Sequence, residues 1–356
     1  MAAVTLADVA ARARVSTATV SRVLSGNYPV AESTRGRVLR AVEELEYVVN
    51  GQASALAAAS SDLVGILVND IADPFFGIIA GAVQSELSGT AGPGGEKLAV
   101  VCNTGGAPER ELTYLTLLQR QRAAAVVLTG SASEGAEHAR ALAAKLARLA
   151  GAGTRVVLCG RPAQDSPAPE PDDPTRLTTL AFDNQGGAER LTAYLIGLGH
   201  RRIGCVAGPP GRTTTGERLA GHRAALAAHG IEDAPRRTVH GAYDRASGYD
   251  ATVELLRRDT DLTAIVAAND TAALGACAAL RDRGLRIPED VSVAGFDDLP
   301  FSADAAPALT TVRLPLQEAG ARAGRLAMGR EERPPGGLAT FHSELLVRGS
   351  TSIPYS

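Results

Sequence analysis

Residues 15–26 read VSTATVSRVLSG. Val20, Val23 and Leu24 recur at i, i+3 and i+4, the inward stripe of a short helix. The opposite face carries Thr17, Ala18, Ser21 and Arg22. A solvated helix face normally collects Lys and Glu, and this one is small and hydrogen-bonding apart from a single arginine. Just upstream, Thr5-Leu-Ala-Asp8 has the form of a capping box, with Asp8 where Glu is more usual. Leu6, Val9, Ala10 and Ala13 then make a second apolar stripe. Ser16 is placed to cap the second helix, and Gly26-Asn27-Tyr28-Pro29 ends it. Two short capped helices joined by a tight turn form a helix-turn-helix pattern. In such a pattern a second helix with a small polar face can sit deep in a DNA major groove. Thr17, Ala18 and Ser21 permit close approach there, and Arg22 can pair with a guanine edge. The plain alternative is a surface helix without a partner. A third helix, with Val38, Ala41, Val42 and Leu45 inward, carries Gly36 in its middle and starts weakly at Ala31.

Charge decides little. The 356 residues carry a net charge of −3, so the molecule as a whole is no basic nucleic-acid binder. Residues 1–60 hold six arginines against five acids, leaving helix N-termini and a few arginines to meet phosphates. Hydrophobic content of 45% and charged content of 21% are ordinary for a globular chain of two or three domains. Cys102, Cys159, Cys205 and Cys277 are widely spaced and mostly flanked by apolar residues, the pattern of reduced, buried thiols. The N-terminus has no basic region followed by an apolar one, and no apolar run reaches the roughly 18 residues of a membrane span. A cytoplasmic protein is expected.

Beyond residue 60 the texture changes. NGQASALAAAS (50–60) is a small-residue segment with Leu56 as its one large apolar side chain. After it, short β-branched runs end in Gly, Asn or Asp: LVGILVND (63–70), LAVVCN (98–103), AAVVLTG (124–130), TRVVLCG (154–160), RIGCVAG (202–208), TAIVAAND (263–270) and VSVAGFDD (291–298). Helical stretches such as AERLTAYLIGLGH (188–200) lie between several of them. Alternation of strand and helix over this length predicts an α/β core with parallel sheets. Two sheets fit the length, one beginning at Leu63 and one near Thr178. The polar residues that end the strands belong at a sheet's carboxyl edge, where ligands bind. The Gly/Pro-rich segments 88–97 and 162–176 read as exposed loops, GPPGRTTTG (208–216) as a surface turn, and His200 as structural.

VTLADVAARARVSTATVSRVLSG (4–26), followed by TRGRVLRAVEELEYVVN (34–50), closely resembles the DNA-binding headpiece of the LacI/GalR family of bacterial transcription regulators. The resemblance continues in order through DPFF (73–76), LGHRRIG (198–204), GERLAGHRAAL (216–226), AANDTAALGA (267–276), VSVAGFDD (291–298), ALTTVRLPL (308–316) and ELLVRGST (344–351). It implies an all-α headpiece over 1–48, a hinge helix over 49–60, and a periplasmic-binding-protein-like core of two parallel-sheet subdomains over 61–356. The first subdomain would take 61–181 and 314–337, the second 182–313 and 338–356. The resemblance assigns DNA contacts to Thr5, Ser16, Thr17, Ala18, Thr19, Ser21, Arg22, Asn27, Thr34, Asn50, Ala53 and Leu56. Leu56 would wedge into the minor groove at the centre of a near-palindromic operator. Val49 and Ser54 depart from the family's usual proline and arginine.

For the effector, the resemblance implies Asp73, Phe75, Phe76, Arg218, Tyr243, Asn269 and Asp297, a set suited to a polyhydroxylated ligand such as a sugar. Gly160 stands where many relatives have Asp, which removes a hydroxyl partner or makes room for a larger ligand. The expected protein is a repressor working as a homodimer, without cofactor or metal, and a chain that stops soon after ELLVRGST with no leucine heptad tail fits a dimer. Control by a partner protein or a non-sugar ligand is the alternative reading; a sugar receptor without DNA function is a remote one. No phosphate-loop or dinucleotide motif and no Ser/His/Asp set is present, so catalysis is not expected.

Overall fold

The computed structural model describes residues 4–25, 29–47, 61–88, 97–162 and 177–354. The chain divides into two units, Met1–Ser61 and Asp62–Ser356.

The first unit holds helices α1 (Leu6–Ala13), α2 (Thr17–Ser25) and α3 (Glu32–Glu44). Its start is fixed by the capping box: the Asp8 carboxylate accepts from the Thr5 N–H at 2.8 Å while the Asp8 N–H donates to the Thr5 hydroxyl at 3.4 Å. Ser16 accepts the Thr19 N–H at 3.2 Å at the head of α2. Ala31 makes no side-chain cap for α3. Val9, Ala13, Val20, Val23 and Val38 form the buried centre, so the three apolar stripes converge.

The second unit contains two sheets of six described strands each. The first is built from β1 (Leu63–Val68), β2 (Leu98–Asn103), β3 (Ala125–Thr129), β4 (Arg155–Cys159), β5 (Leu177–Phe182) and β11 (Leu338–Phe341), in the order β11-β5-β4-β3-β1-β2 and parallel throughout. The second comprises β6 (Ile203–Ala207), β7 (Thr238–His240), β8 (Ala264–Ala267), β9 (Ser292–Asp297), β10 (Thr310–Arg313) and β12 (Glu344–Leu346), in the order β12-β10-β9-β8-β6-β7. Only β12 runs antiparallel to its neighbour among these pairs. Short runs such as LVGILV and AIVA are buried almost end to end, as expected of strands with helices on both faces.

Two boundaries expected from the sequence move. Thr178 belongs to β5 and therefore to the first sheet, so the second sheet begins at Ile203. Residues from 338 were expected in the second subdomain, yet Leu338–Phe341 pairs with β5, Leu338 against Thr179 and Phe341 against Phe182. The chain returns to the second sheet only between Phe341 and Glu344. The reason is that an edge strand of four residues, with Leu338 part exposed, has too little apolar alternation to announce its partner.

The chain thus passes between the sheets after Phe182, after Arg313 and after Phe341. These crossings are tied together. The Arg190 guanidinium donates to the Asp183 carboxylate at 3.0 Å and to the Ser343 carbonyl and hydroxyl at 2.9 and 2.6 Å. Arg313 donates to Asp298 at 2.8 Å and lies 3.5 Å from Glu344. His200 is buried and structural: its Nδ1 meets the Thr263 hydroxyl and its Nε2 the Ser352 carbonyl, both at 2.9 Å. Cys159, Cys205 and Cys277 are buried free thiols and Cys102 is half-buried.

Candidate functional site

The carboxyl ends of both sheets face one cleft of about 680 Å³ within the second unit. Asp73, Phe75, Phe76, Arg218, Tyr243, Asn269 and Asp297 all line it.

Helix α4 (Pro74–Leu87) opens on Asp73, whose carboxylate accepts the Phe75 N–H at 2.9 Å, with Pro74 in the first turn. This cap turns the Phe75 and Phe76 rings toward the cleft, 5.0 Å apart and edge to face. Burial raises the Asp73 pKa above the ordinary carboxylate value.

Helix α8 (Thr213–Ala228) supplies Arg218, whose guanidinium is engaged on three sides. Its Nε donates to Asn184 Oδ1 at 3.0 Å, one Nη to the Ala268 carbonyl and the other to Asp297 Oδ1 at 2.8 Å. Its flat face lies 3.8 Å from the centre of the Phe296 ring, a cation–π geometry. Asp297 is held in the left-handed region, φ 105°, at the end of β9. Burial pushes its pKa up to about 6, against the pull of Arg218 and with a smaller push from Asp73.

Asn269 caps α10 (Asp270–Arg281), its Oδ1 accepting the Ala272 N–H at 2.8 Å and its amide donating to the Tyr243 carbonyl at 3.0 Å. One amide therefore fixes both a helix start and the loop that presents Tyr243. The Tyr243 hydroxyl pairs with Thr215 Oγ1 at 2.7 Å. Gly160 has φ 88°, and a Cβ there would lie 3.2 Å from the Phe182 ring; the missing carboxylate leaves an aromatic wall in its place.

Behind Asn269, Asp270 is fully buried, accepting the Thr311 hydroxyl at 2.6 Å and the Leu299 N–H at 2.7 Å. Burial, and then the charge of Asp297, push its pKa from 3.8 up to about 8. Between those values the folded protein keeps a proton that the unfolded chain releases, so stability falls as pH rises through this window and levels off above it. Asp270→Asn is expected to flatten that slope in denaturant titrations at pH 5 to 9. An amide can accept from Leu299 and donate to Thr311, so the fold should survive.

Several lining residues were not singled out from sequence, among them Asn69, Asn103, Phe182, Asn184 and Arg212. Asn69 and Asn103 carried a legible signal, since both end β-branched runs. Arg212 corrects an expectation in part: Pro210 and Gly211 of GPPGRTTTG do form an exposed turn, but the residues after them turn inward. Arg212 lines the cleft and donates to the Gly106 carbonyl of the first subdomain at 2.5 Å. Beside it, Thr213 N–H donates to the Ala132 carbonyl at 3.1 Å and Glu134 N–H to the Gly211 carbonyl at 2.9 Å, lacing the two walls together.

In the first unit, Thr17, Ala18, Ser21 and Arg22 are exposed, as are Thr5 and Ser16, while Thr19 and Thr34 are half-buried. Asn27, Asn50, Ala53 and Leu56, with the expected hinge over 49–60, lie outside the described residues.

Residues 5–50 match the family described as bacterial regulatory proteins, lacI family, and residues 192–351 match the periplasmic binding protein-like domain. The HTH-type transcriptional regulator GalR of Escherichia coli K12 is 34% identical over 352 residues, covering 98% of this chain and 96% of that protein. The chain belongs to the LacI family. Two solved structures extend the comparison over whole chains. The transcriptional regulator CelR–cellobiose complex is 33% identical, with a TM-score of 0.66 and coverage of 98% and 99%. The lac repressor dimer bound to operator and the anti-inducer ONPF is 27% identical, with a TM-score of 0.77 and coverage of 99% and 100%. As a LacI-family member the protein is a DNA-binding transcription regulator and not an enzyme. Among its described residues no helix is long and apolar enough to cross a membrane, and no cluster of His, Cys, Asp and Glu is fit to hold a metal.

Proposed function

We propose that this regulator is a cytoplasmic repressor, binding a near-palindromic operator as a homodimer, with its affinity set by a sugar held in the cleft. The observation that carries the DNA half is the exposed face of α2, where Thr17, Ala18, Ser21 and Arg22 leave the helix free of long side chains except one arginine. Thr5, Ser16, Thr19 and Thr34 are assigned supporting contacts, and Asn27, Asn50, Ala53 and Leu56 keep the roles that the family resemblance gave them. The sugar half rests on the convergence of a guanidinium, a carboxylate and amides beside the aromatic rings of Phe75, Phe76 and Tyr243. CelR was solved with cellobiose, a sugar, which supports that class of ligand. The dimer is supported by β2, an edge strand with Leu98, Val100 and Val101 exposed, a row that a second copy would cover.

Selection of bound duplexes from a random DNA pool tests the reading. Enrichment of a near-palindrome is expected, because two identical headpieces impose their symmetry on the site. Enrichment of an unrepeated site would refute the dimer, and recovery without enrichment would refute sequence-specific binding by the protein alone. On the selected operator, Arg22→Ala is expected to weaken binding about ten- to a hundred-fold, the range of one lost base contact, and to relax preference at a single base pair. Equal weakening on every sequence would reassign Arg22 to a phosphate.

A further inference from the structure

We propose that the cleft takes an uncharged sugar of two linked rings, in preference to a single hexose or a sugar phosphate. The inference deepens the sugar reading above and rests on it.

Size is the first argument. The two walls are already laced by backbone bonds between 132–134 and 211–213, and the cleft still measures about 680 Å³. Allowed even the roughly 30 Å³ that liquid water takes per non-hydrogen atom, a hexose fills about half of that, and two linked rings fill it.

Length agrees with volume. On the second subdomain the lining residues Asp297, Asn269, Pro209 and Tyr243 follow β9, β8, β6 and β7, four adjacent strands. At a spacing of about 4.8 Å their ends span about 14 Å. A pyranose built from bonds of about 1.5 Å measures about 6 Å between opposite oxygens. The opposite wall is flat and partly aromatic: Gly105, Gly106, Gly130 and Gly160 line it, with Arg212, Phe76 and Phe182 packed in front of the last three.

Polar groups stand at both ends. Arg218, Asp297 and Asn184 form one set near the crossing after Phe182. Arg212 belongs to the other, beside Gly106 and the end of β2, with Asn103 and Tyr243 on the same cleft. Each set suits the hydroxyls of one ring.

Charge excludes the phosphate. The lining carries four carboxylates, Asp70, Asp73, Asp244 and Asp297, against two guanidiniums. Arg218 already donates to Asn184, Ala268 and Asp297, so a dianion would meet a net negative cleft whose central cation is engaged.

Calorimetric titration of the full-length protein with glucose, galactose, cellobiose, maltose, lactose and glucose 6-phosphate tests this. At least one disaccharide is expected to bind more than about ten-fold tighter than either monosaccharide, the contribution of one further charged hydrogen bond. Glucose 6-phosphate is expected to bind no better than glucose. A monosaccharide matching the best disaccharide would overturn the two-ring assignment and leave the sugar reading standing. Tighter binding of the phosphate would overturn the uncharged assignment alone, and silence from all six would overturn both this inference and the sugar reading. Arg212→Ala is expected to lower the ratio of disaccharide to monosaccharide affinity by about ten-fold. An unchanged ratio would remove the second ring from the Arg212 end.

Discussion

Replacing Arg218 with alanine is expected to destabilise the core by about 3–5 kcal/mol, the usual consequence of removing one partner from a buried ion pair. Asp297 is 3% exposed and pairs with the Arg218 guanidinium at 2.8 Å. Truncation leaves that carboxylate, the Asn184 amide oxygen and the Ala268 carbonyl without the donors they now have. It also strips the Phe296 ring of the flat group stacked on it. The sign of the pH effect follows. With Arg218 gone, the Asp297 pKa rises further above its ordinary value, so the folded variant takes up a proton more readily than the unfolded chain. Its stability deficit should therefore be smallest in mild acid and grow as pH rises through neutrality. Urea denaturation at pH 5 and pH 8 reads this directly. The pair Arg218→Ala with Asp297→Asn is expected to recover much of the loss, because no uncompensated charge remains. A single variant as stable as the wild type at pH 8 would refute the account. On the proposed function, the same substitution abolishes the effector response while operator binding persists in the folded fraction.

The ion pair also shows how the pocket reaches the chain crossings. Asn184, which Arg218 holds, is two residues past Phe182, where the chain first leaves the first sheet. Asp297 is followed by Asp298, also at positive φ, whose carboxylate takes Arg313 at the second crossing and Arg348 after β12. Neighbouring carboxylates thus face different tasks, one toward the cleft and one toward the strands about which the subdomains would turn. A ligand that moves Arg218 has a short route, through hydrogen bonds and adjacent residues, to two of the three crossings. Such a route biases an equilibrium only if the ligand binds the two arrangements with different affinity.

How much of this was legible before the structure depends on whether the signal was local. The capping box at Thr5, the apolar stripes of the headpiece and the runs at β1, β2, β3, β4, β6, β8 and β9 are written in neighbouring residues, and they are found there. The strand-ending Asn and Asp residues already marked the carboxyl edges. Arg212 was missed because GPPGRTTTG has the composition of an exposed turn, and nothing within it records that Gly106 stands opposite. The strand at 338–341 was assigned to the wrong sheet because its partner lies about 160 residues upstream, and register between distant strands leaves no mark in the strand itself. Phe182 escaped notice for a related reason. It reads as a core residue and becomes a wall only because Gly160 withholds a side chain beside it.

Gly221→Ala is the second large effect, and it arises where two helices nearly touch. Gly221 lies on α8, and a Cβ added there would stand 2.0 Å from the Gln185 carbonyl oxygen and 2.9 Å from the Glu189 nitrogen. Both are backbone atoms of α7 (Asn184–Gly197), so no side chain can swing aside. Relief requires moving one helix bodily, and overpacking of this kind costs up to about 3 kcal/mol or more. At roughly 1.6 °C per kcal/mol for a unit of this size, the core midpoint should drop by about 5 °C. Arg218 precedes Gly221 by three residues and faces the same helix, since its Nε reaches Asn184 Oδ1. The displacement that accommodates the methyl group must therefore lengthen that bond, and ligand affinity should weaken together with stability. Gly197→Ala separates this from a general effect of adding a methyl to α7 or α8. Nothing lies within 4 Å of its added Cβ, and the lower backbone entropy of alanine predicts a change between zero and a gain of about 1 kcal/mol. Differential scanning calorimetry of the two variants decides the point. If Gly221→Ala melts with the wild type, the helices have room that the geometry denies, and the close approach of α7 and α8 does not set the position of Arg218.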